Sequence, residues 1–131
     1  MADSRTYILR ALSSRRADLP NRQYVASADG AIDITRKNFP DTVVVTKGTA
    51  AALTLAAPTA GAPEKGGHDG MRIYFVDVAG AAHTLTVTGG FNGAGTTSDV
   101  GTFGGAKGDH VTLEAYNGAW YVLDNLNVTL A

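Results

Sequence analysis

The 131-residue chain contains no cysteine, which removes disulfides and thiolate metal ligands from the means of holding a fold. Packing and strand pairing must do that work. No apolar run approaches the roughly 20 residues needed to cross a bilayer. The opening residues, Met1-Ala-Asp-Ser-Arg-Thr6, lack the charged start and unbroken apolar core of a secretory signal. The expectation is a soluble protein with no membrane partner that stays in the compartment where it is made. Helical periodicity is also scarce. Tyr7, Ile8, Ala11 and Leu12 have helical spacing but cover less than two turns, too little for an isolated helix.

What the chain does have is alternation. Gly108-Asp-His-Val-Thr-Leu-Glu-Ala-Tyr-Asn-Gly-Ala-Trp-Tyr-Val-Leu123 reads as two strands joined by Asn117-Gly118, because both turn residues tolerate the positive φ of a type I′ turn. Further alternating segments are 42–46, 51–56, 71–77, 83–88 and 126–130, with weaker ones at 24–26, 31–34 and 100–103. Seven to ten strands separated by Gly, Pro, Asp and Asn predict an all-β fold, an antiparallel β-sandwich or barrel of the jelly-roll-like kind. One domain of ordinary size accommodates it.

The alternation assigns faces. Leu53, Leu55, Leu85, Val87, Val111, Leu113, Ala115, Val128 and Leu130 are expected inside, with Thr54, Thr84, Thr86, Thr88, Thr112, Glu114 and Thr129 outside. The strand at 71–77 is apolar on both faces, because Ile73 and Phe75 alternate with Tyr74 and Val76. It belongs in the centre of a sheet or against another subunit. Trp120 reads as core, whereas Tyr116 and Tyr121 read as interface aromatics. Tyr74, Val76, Tyr116 and Tyr121 are therefore the candidate subunit-interface residues.

Charge divides the chain. Residues 1–37 hold seven of the eleven bases and four acids, a balance of +3, while the other 94 residues hold four bases and eight acids, a balance of −4. Asp18-Leu19-Pro20-Asn21 breaks the pattern between them. The domain reading is an extended N-terminal arm, residues 1–22, followed by a β-sandwich domain, residues 23–131. A basic arm suits an acidic partner surface.

No catalytic constellation emerges, and the chain is read as a non-enzyme without cofactor or metal. Gly101-Thr-Phe-Gly-Gly-Ala-Lys107 lacks the Gly-Lys-Ser/Thr ending of a phosphate loop, and a strand follows it where a helix is required. The eight glycines of residues 89–108 are explained by turns and bulges. No serine lies in a Gly-x-Ser-x-Gly turn. His68, His83 and His110 match no metal-ligand spacing, and the latter two are expected as exposed rings at strand starts. Acids such as Asp69, Asp77, Asp109 and Glu114 read equally well as solubility charges on strand ends. Nucleic acid is not an expected partner, since the body is acidic and its aromatics are scattered.

The succession Gly48-Thr-Ala-Ala-Ala-Leu-Thr-Leu-Ala-Ala-Pro58, His68-Asp-Gly-Met-Arg-Ile-Tyr-Phe-Val-Asp77, Ala82-His-Thr-Leu-Thr-Val-Thr88 and the hairpin at 108–123 resembles small virion proteins of tailed bacteriophages. The capsid decoration, or cement, protein is the type it most resembles, and related β modules occur in head and tail fibres. The resemblance covers about residues 42–131. It implies a structural protein on the capsid exterior, made in the bacterial host cytoplasm, that bridges major capsid subunits as a homo-oligomer, with a trimer favoured and a dimer possible. Within that reading the arm supplies the capsid contact, with Tyr7, Ile8, Leu9 and Leu12 as apolar anchors and Arg5, Arg10, Arg15 and Arg16 pairing with capsid acids. The alternative is a head or tail fibre module binding a host surface glycan through the loop at 89–108.

Overall fold

A computed structural model describes residues 22–35 and 37–131. Among the described residues ten strands follow in order: β1 (Gln23–Ala26), β2 (Gly30–Ala31), β3 (Thr42–Val45), β4 (Ala52–Leu55), β5 (Arg72–Asp77), β6 (Thr84–Val87), β7 (Val100–Phe103), β8 (His110–Tyr116), β9 (Ala119–Leu126) and β10 (Val128–Leu130). Helix among the described residues is limited to two 3₁₀ turns, Pro63–Lys65 and Gly95–Thr97. Sheet I has the order β1-β3-β5-β8-β9 and sheet II the order β10-β7-β6-β4-β2, five strands each. The two pack as the expected sandwich around one core.

Strand direction departs from the wholly antiparallel, jelly-roll-like expectation. The first six strands alternate between the sheets, so each sheet receives successive strands running the same way. β1–β3, β3–β5, β2–β4 and β4–β6 are accordingly parallel. The remaining pairs, β5–β8, β8–β9, β6–β7 and β7–β10, are antiparallel. A parallel pair needs a crossover, usually a helix; here a strand of the opposite sheet supplies it. A period of two reports which side of a strand is apolar and carries no information on its direction, which is why the sequence did not disclose the mixed pairing.

The inner faces follow the alternation closely. Sheet I turns Val43, Val45, Ile73, Phe75, Val111, Leu113, Ala115 and Trp120 inward, and sheet II answers with Leu53, Leu55, Leu85, Val87, Phe103 and Val128, all buried. Burying each large aliphatic or aromatic side chain of this set stabilises the fold by about 1.5–3 kcal/mol. Gly101 sits between Leu85 and Leu130 in the register of sheet II. A Cβ there would lie 3.2 Å from the Phe91 ring, so the missing side chain is what lets Phe91 cover the sheet. The β8–β9 hairpin turns on Asn117 (φ 48°) and Gly118 (φ 83°), the two positive values a type I′ turn requires.

Trp120 joins the sheets. It projects from β9 of sheet I, is fully buried, and donates its Nε1–H to the Ala56 carbonyl beyond β4 of sheet II at 2.9 Å. Trp120→Phe removes both ring volume and that donor, and should lower unfolding free energy by about 2 kcal/mol. Thr86→Val on the exposed face of sheet II should stay within about 0.5 kcal/mol of wild type. Urea titrations of the two variants check this.

Candidate interaction surface

The buried titratable side chains of the body, His68, Asp77, His83 and Asp109, are used up by the fold. His83 is fully buried, contrary to the exposed ring expected of a strand start, and so is Asp77 beside it. The reason is local. The Asp77 carboxylate accepts the N–H groups of Ala79, Gly80 and Ala81 at 2.8–3.1 Å, drawing the β5–β6 connection over itself. His83 Nε2–H donates to Asp77 Oδ1 at 3.1 Å, while Nδ1 accepts the Ala51 N–H at 3.0 Å. The backbone donor fixes the neutral Nε2–H tautomer, leaving no lone pair for a metal or a substrate proton. His68, 7% exposed, repeats the pattern, accepting from Thr59 N–H and donating to the Ile34 carbonyl.

Asp109 is also buried rather than a surface charge. It accepts the Ala106 N–H at 2.9 Å and receives the Asn127 amide at 3.2 Å. Asp69 accepts the Asn117 N–H and so braces the hairpin turn. Among the described residues every buried side-chain nitrogen and oxygen has a partner, and no three or more His, Cys, Asp or Glu side chains converge on one point. Among the described residues no helix is long and apolar enough to cross a membrane.

The surface with unspent binding potential is the outer face of sheet I. Strand register aligns Val25, Val44, Val76, His110 and Leu126 in one row across all five strands, with Gln23, Thr42, Tyr74, Thr112 and Asp124 in the next. Val25 and Leu126 are 51% and 52% exposed; Val44, Tyr74 and Val76 are half-buried by neighbours on the same face. Tyr116 and Tyr121 continue it, their rings 6.5 Å apart and both exposed. Polar tips on this face are bonded locally: Arg72 Nε–H donates to Glu114 at 2.7 Å and His110 Nε2–H to Asp124 at 2.9 Å. The outer face of sheet II contrasts with it. Ala52, Thr84, Thr102 and Thr129 form one row, and Ala31, Thr54, Thr86 and Val100 the other.

All four expected interface residues, Tyr74, Val76, Tyr116 and Tyr121, thus lie on one face, with β5 at its centre. Val25, Val44 and Leu126 share that face as well, a placement set by cross-strand register that no single strand's pattern discloses. The arm residues Arg5, Tyr7, Ile8, Leu9, Arg10, Leu12, Arg15 and Arg16 lie outside the described residues. Comparison with protein-family models, curated proteins and solved structures finds no match.

His83→Leu takes one of the four donors from the buried Asp77 carboxylate and leaves the Ala51 N–H without its acceptor, and should cost about 3 kcal/mol in urea unfolding; nitrogen-15 spectra of the wild type should show Nε2–H tautomers at His68 and His83. On the surface, the Ala52 N–H first, then the Lys47 ammonium, holds the Asp29 carboxyl below its ordinary value of 3.8. A depressed folded value means this group stabilises fully above 3.8 and that its contribution is lost as pH falls through the lowered value. Asp29→Asn should therefore flatten the acid limb of the stability–pH curve and leave its shape near neutrality unchanged.

Proposed function

We propose that this protein is a structural, non-enzymatic virion component, a capsid decoration protein of a tailed bacteriophage that binds the outside of the shell and bridges major capsid subunits. Its resemblance to such proteins in strand-and-turn phrasing motivates the reading. The observation that carries it is the contrast between the two outer faces, threonine-rich on sheet II, crossed on sheet I by the apolar row Val25, Val44, Val76 and Leu126 with Tyr116 and Tyr121 beyond it. A face of five strands, spaced about 4.8 Å apart and four to eight residues long, offers roughly 500 Å² in projection, the scale of a modest protein interface. Tyr74, Val76, Tyr116 and Tyr121 meet the neighbouring virion subunit there. Residues 1–22 add a basic, apolar-studded arm for acidic capsid surface.

The energetics are those of repetition. A contact too weak to hold one pair in solution holds firmly when a homo-oligomer engages several shell subunits at once, because the second contact forms at high effective concentration. Made in the bacterial cytoplasm, the protein would act on the capsid exterior without cofactor, nucleic acid or membrane.

Co-sedimentation with undecorated capsids tests the reading. Deleting residues 1–16 should abolish binding with the β body still folded. Val76→Glu, in the centre of the apolar row, should weaken binding at least tenfold, whereas Thr86→Glu on sheet II should not. Capsid binding indifferent to both the deletion and Val76→Glu overturns it.

A further inference from the structure

The four edges of the two sheets are not equally protected. On β9, Asn92 closes the first half of the edge: its N–H donates to the Trp120 carbonyl at 2.8 Å and its Oδ1 accepts the Val122 N–H at 3.0 Å. A register shift opposite Thr112 and Leu113 kinks the rest. On β10, the Asn125 amide takes both the N–H and the carbonyl of Val128, at 3.0 and 2.9 Å. β2 is two residues long. Such devices are how folded proteins keep edges from pairing with other chains.

β1 has none of them. Its sequence, Gln-Tyr-Val-Ala, contains no charge and no proline. The carbonyls of Arg22 and Ala26 accept from β3 and its flanks, Asp41 N–H at 2.8 Å and Thr46 N–H at 3.0 Å. Alternation along the strand then turns the N–H and C=O of Gln23 and Val25 away from β3. Neither residue has a backbone partner on that side among the described residues. Tyr24 and Val25 are 42% and 51% exposed, and a cleft of about 390 Å³, lined by Arg22, Gln23, Tyr24, Lys37, Asn38 and Pro40, opens beside them.

We infer that β1 pairs antiparallel with β1 of a second copy of this chain, about a two-fold axis at Tyr24, joining two copies of sheet I into one ten-stranded sheet. The register is set by the groups to be satisfied. Gln23 opposite the partner's Val25, and Val25 opposite the partner's Gln23, uses all four outward groups of each copy in four hydrogen bonds. Tyr24 then faces its own symmetry mate, and each ring has the neighbouring cleft to enter. Charge agrees with this polarity, because the two-fold brings the basic end of each strand, Arg22 and Lys37, toward the other copy's Asp29, which Lys47 pairs only in part at 59% side-chain exposure. A two-fold contact gives a dimer in place of the trimer expected from the class. The inference is independent of the shell reading, since it concerns the isolated protein.

Sedimentation of the full chain over a wide concentration range tests it. A monomer–dimer equilibrium is expected. Val25→Pro deletes an outward donor, keeps an apolar side chain and leaves the Tyr24 and Ala26 bonds to β3 intact; it should weaken association at least tenfold with an unchanged far-ultraviolet spectrum. Tyr24→Cys, in a chain with no other cysteine, should oxidise to a linked dimer, because directly opposed strand positions approach disulfide distance. Hydrogen exchange at Gln23 and Val25 should slow as concentration rises. A monomer at every concentration, association insensitive to Val25→Pro, or protection of those amides that does not depend on concentration overturns the inference; the last result would mean that the chain's own N-terminal residues cover β1.

Discussion

The indole of Trp120 is the contact on which the sandwich depends, because it is the point where a side chain of one sheet is bonded to the backbone of the other. Its Nε1–H holds the Ala56 carbonyl, and its ring lies 6.3 Å from Phe39, which in turn lies 5.4 Å from His68. His68 closes the series by bonding Thr59 and Ile34, so the connections β2–β3 and β4–β5 are both tied to the same buried aromatic line. Such long connections would otherwise have little to order them, since a loop pays entropy for every residue it fixes. Trp120 also receives the chain from the other direction. Phe91 forms a bridge with it, and Asn92 then seals the β9 edge.

That arrangement explains why the glycine-rich segment after β6 is not an ornament. Gly101 leaves the space that Phe91 fills, and Phe91 in that space delivers Asn92 to β9. Part of what reads as an open loop is thereby an edge cover, with its glycines serving close approach and turns. The other end of the sandwich relies on buried carboxylates instead. Asp77 and Asp109 gather backbone N–H groups at the ends of β5 and β8, and each backbone segment hydrogen-bonds the other, Asp77 N–H to the Asp109 carbonyl at 2.9 Å.

Much of this was legible in the sequence where a single strand's own pattern decides the matter. The ten segments, the inward Leu and Val set, the Asn117-Gly118 turn and the burial of Trp120 each follow from period or turn chemistry. Pairing direction was not legible, because Leu53 opposite Leu85 looks the same in a parallel or antiparallel ladder. His83 and Asp77 were misjudged for a related reason: a polar residue at a strand end is exposed by default, and only the neighbouring backbone, here Ala51 and residues 79–81, reverses that. The candidate face shared the difficulty. Tyr74 and Val76 betray themselves by breaking the alternation of β5, whereas Val25, Val44 and Leu126 become part of a surface only once five strands are placed side by side.

The proposed pairing at β1 and the proposed docking through sheet I are geometrically compatible, and each would change what the other is worth. Joining two copies edge to edge leaves both outer faces on the same side of a continuous sheet, so the row through Val25, Val44 and Val76 is doubled. The edge contact is small, a few hydrogen bonds and a pair of tyrosines, and isolated strand pairing of that size is weak in water. For a protein that docks on a repeating shell, as proposed, such weakness would keep free copies from assembling before they reach that surface. Once one copy is held by its face, the second meets the surface already oriented, and the cost of fixing it in place has been met by the first. On the two proposals together, two marginal contacts at right angles, one through backbone and one through side chains, would give selective assembly on a repeating surface from a weakly associating free protein.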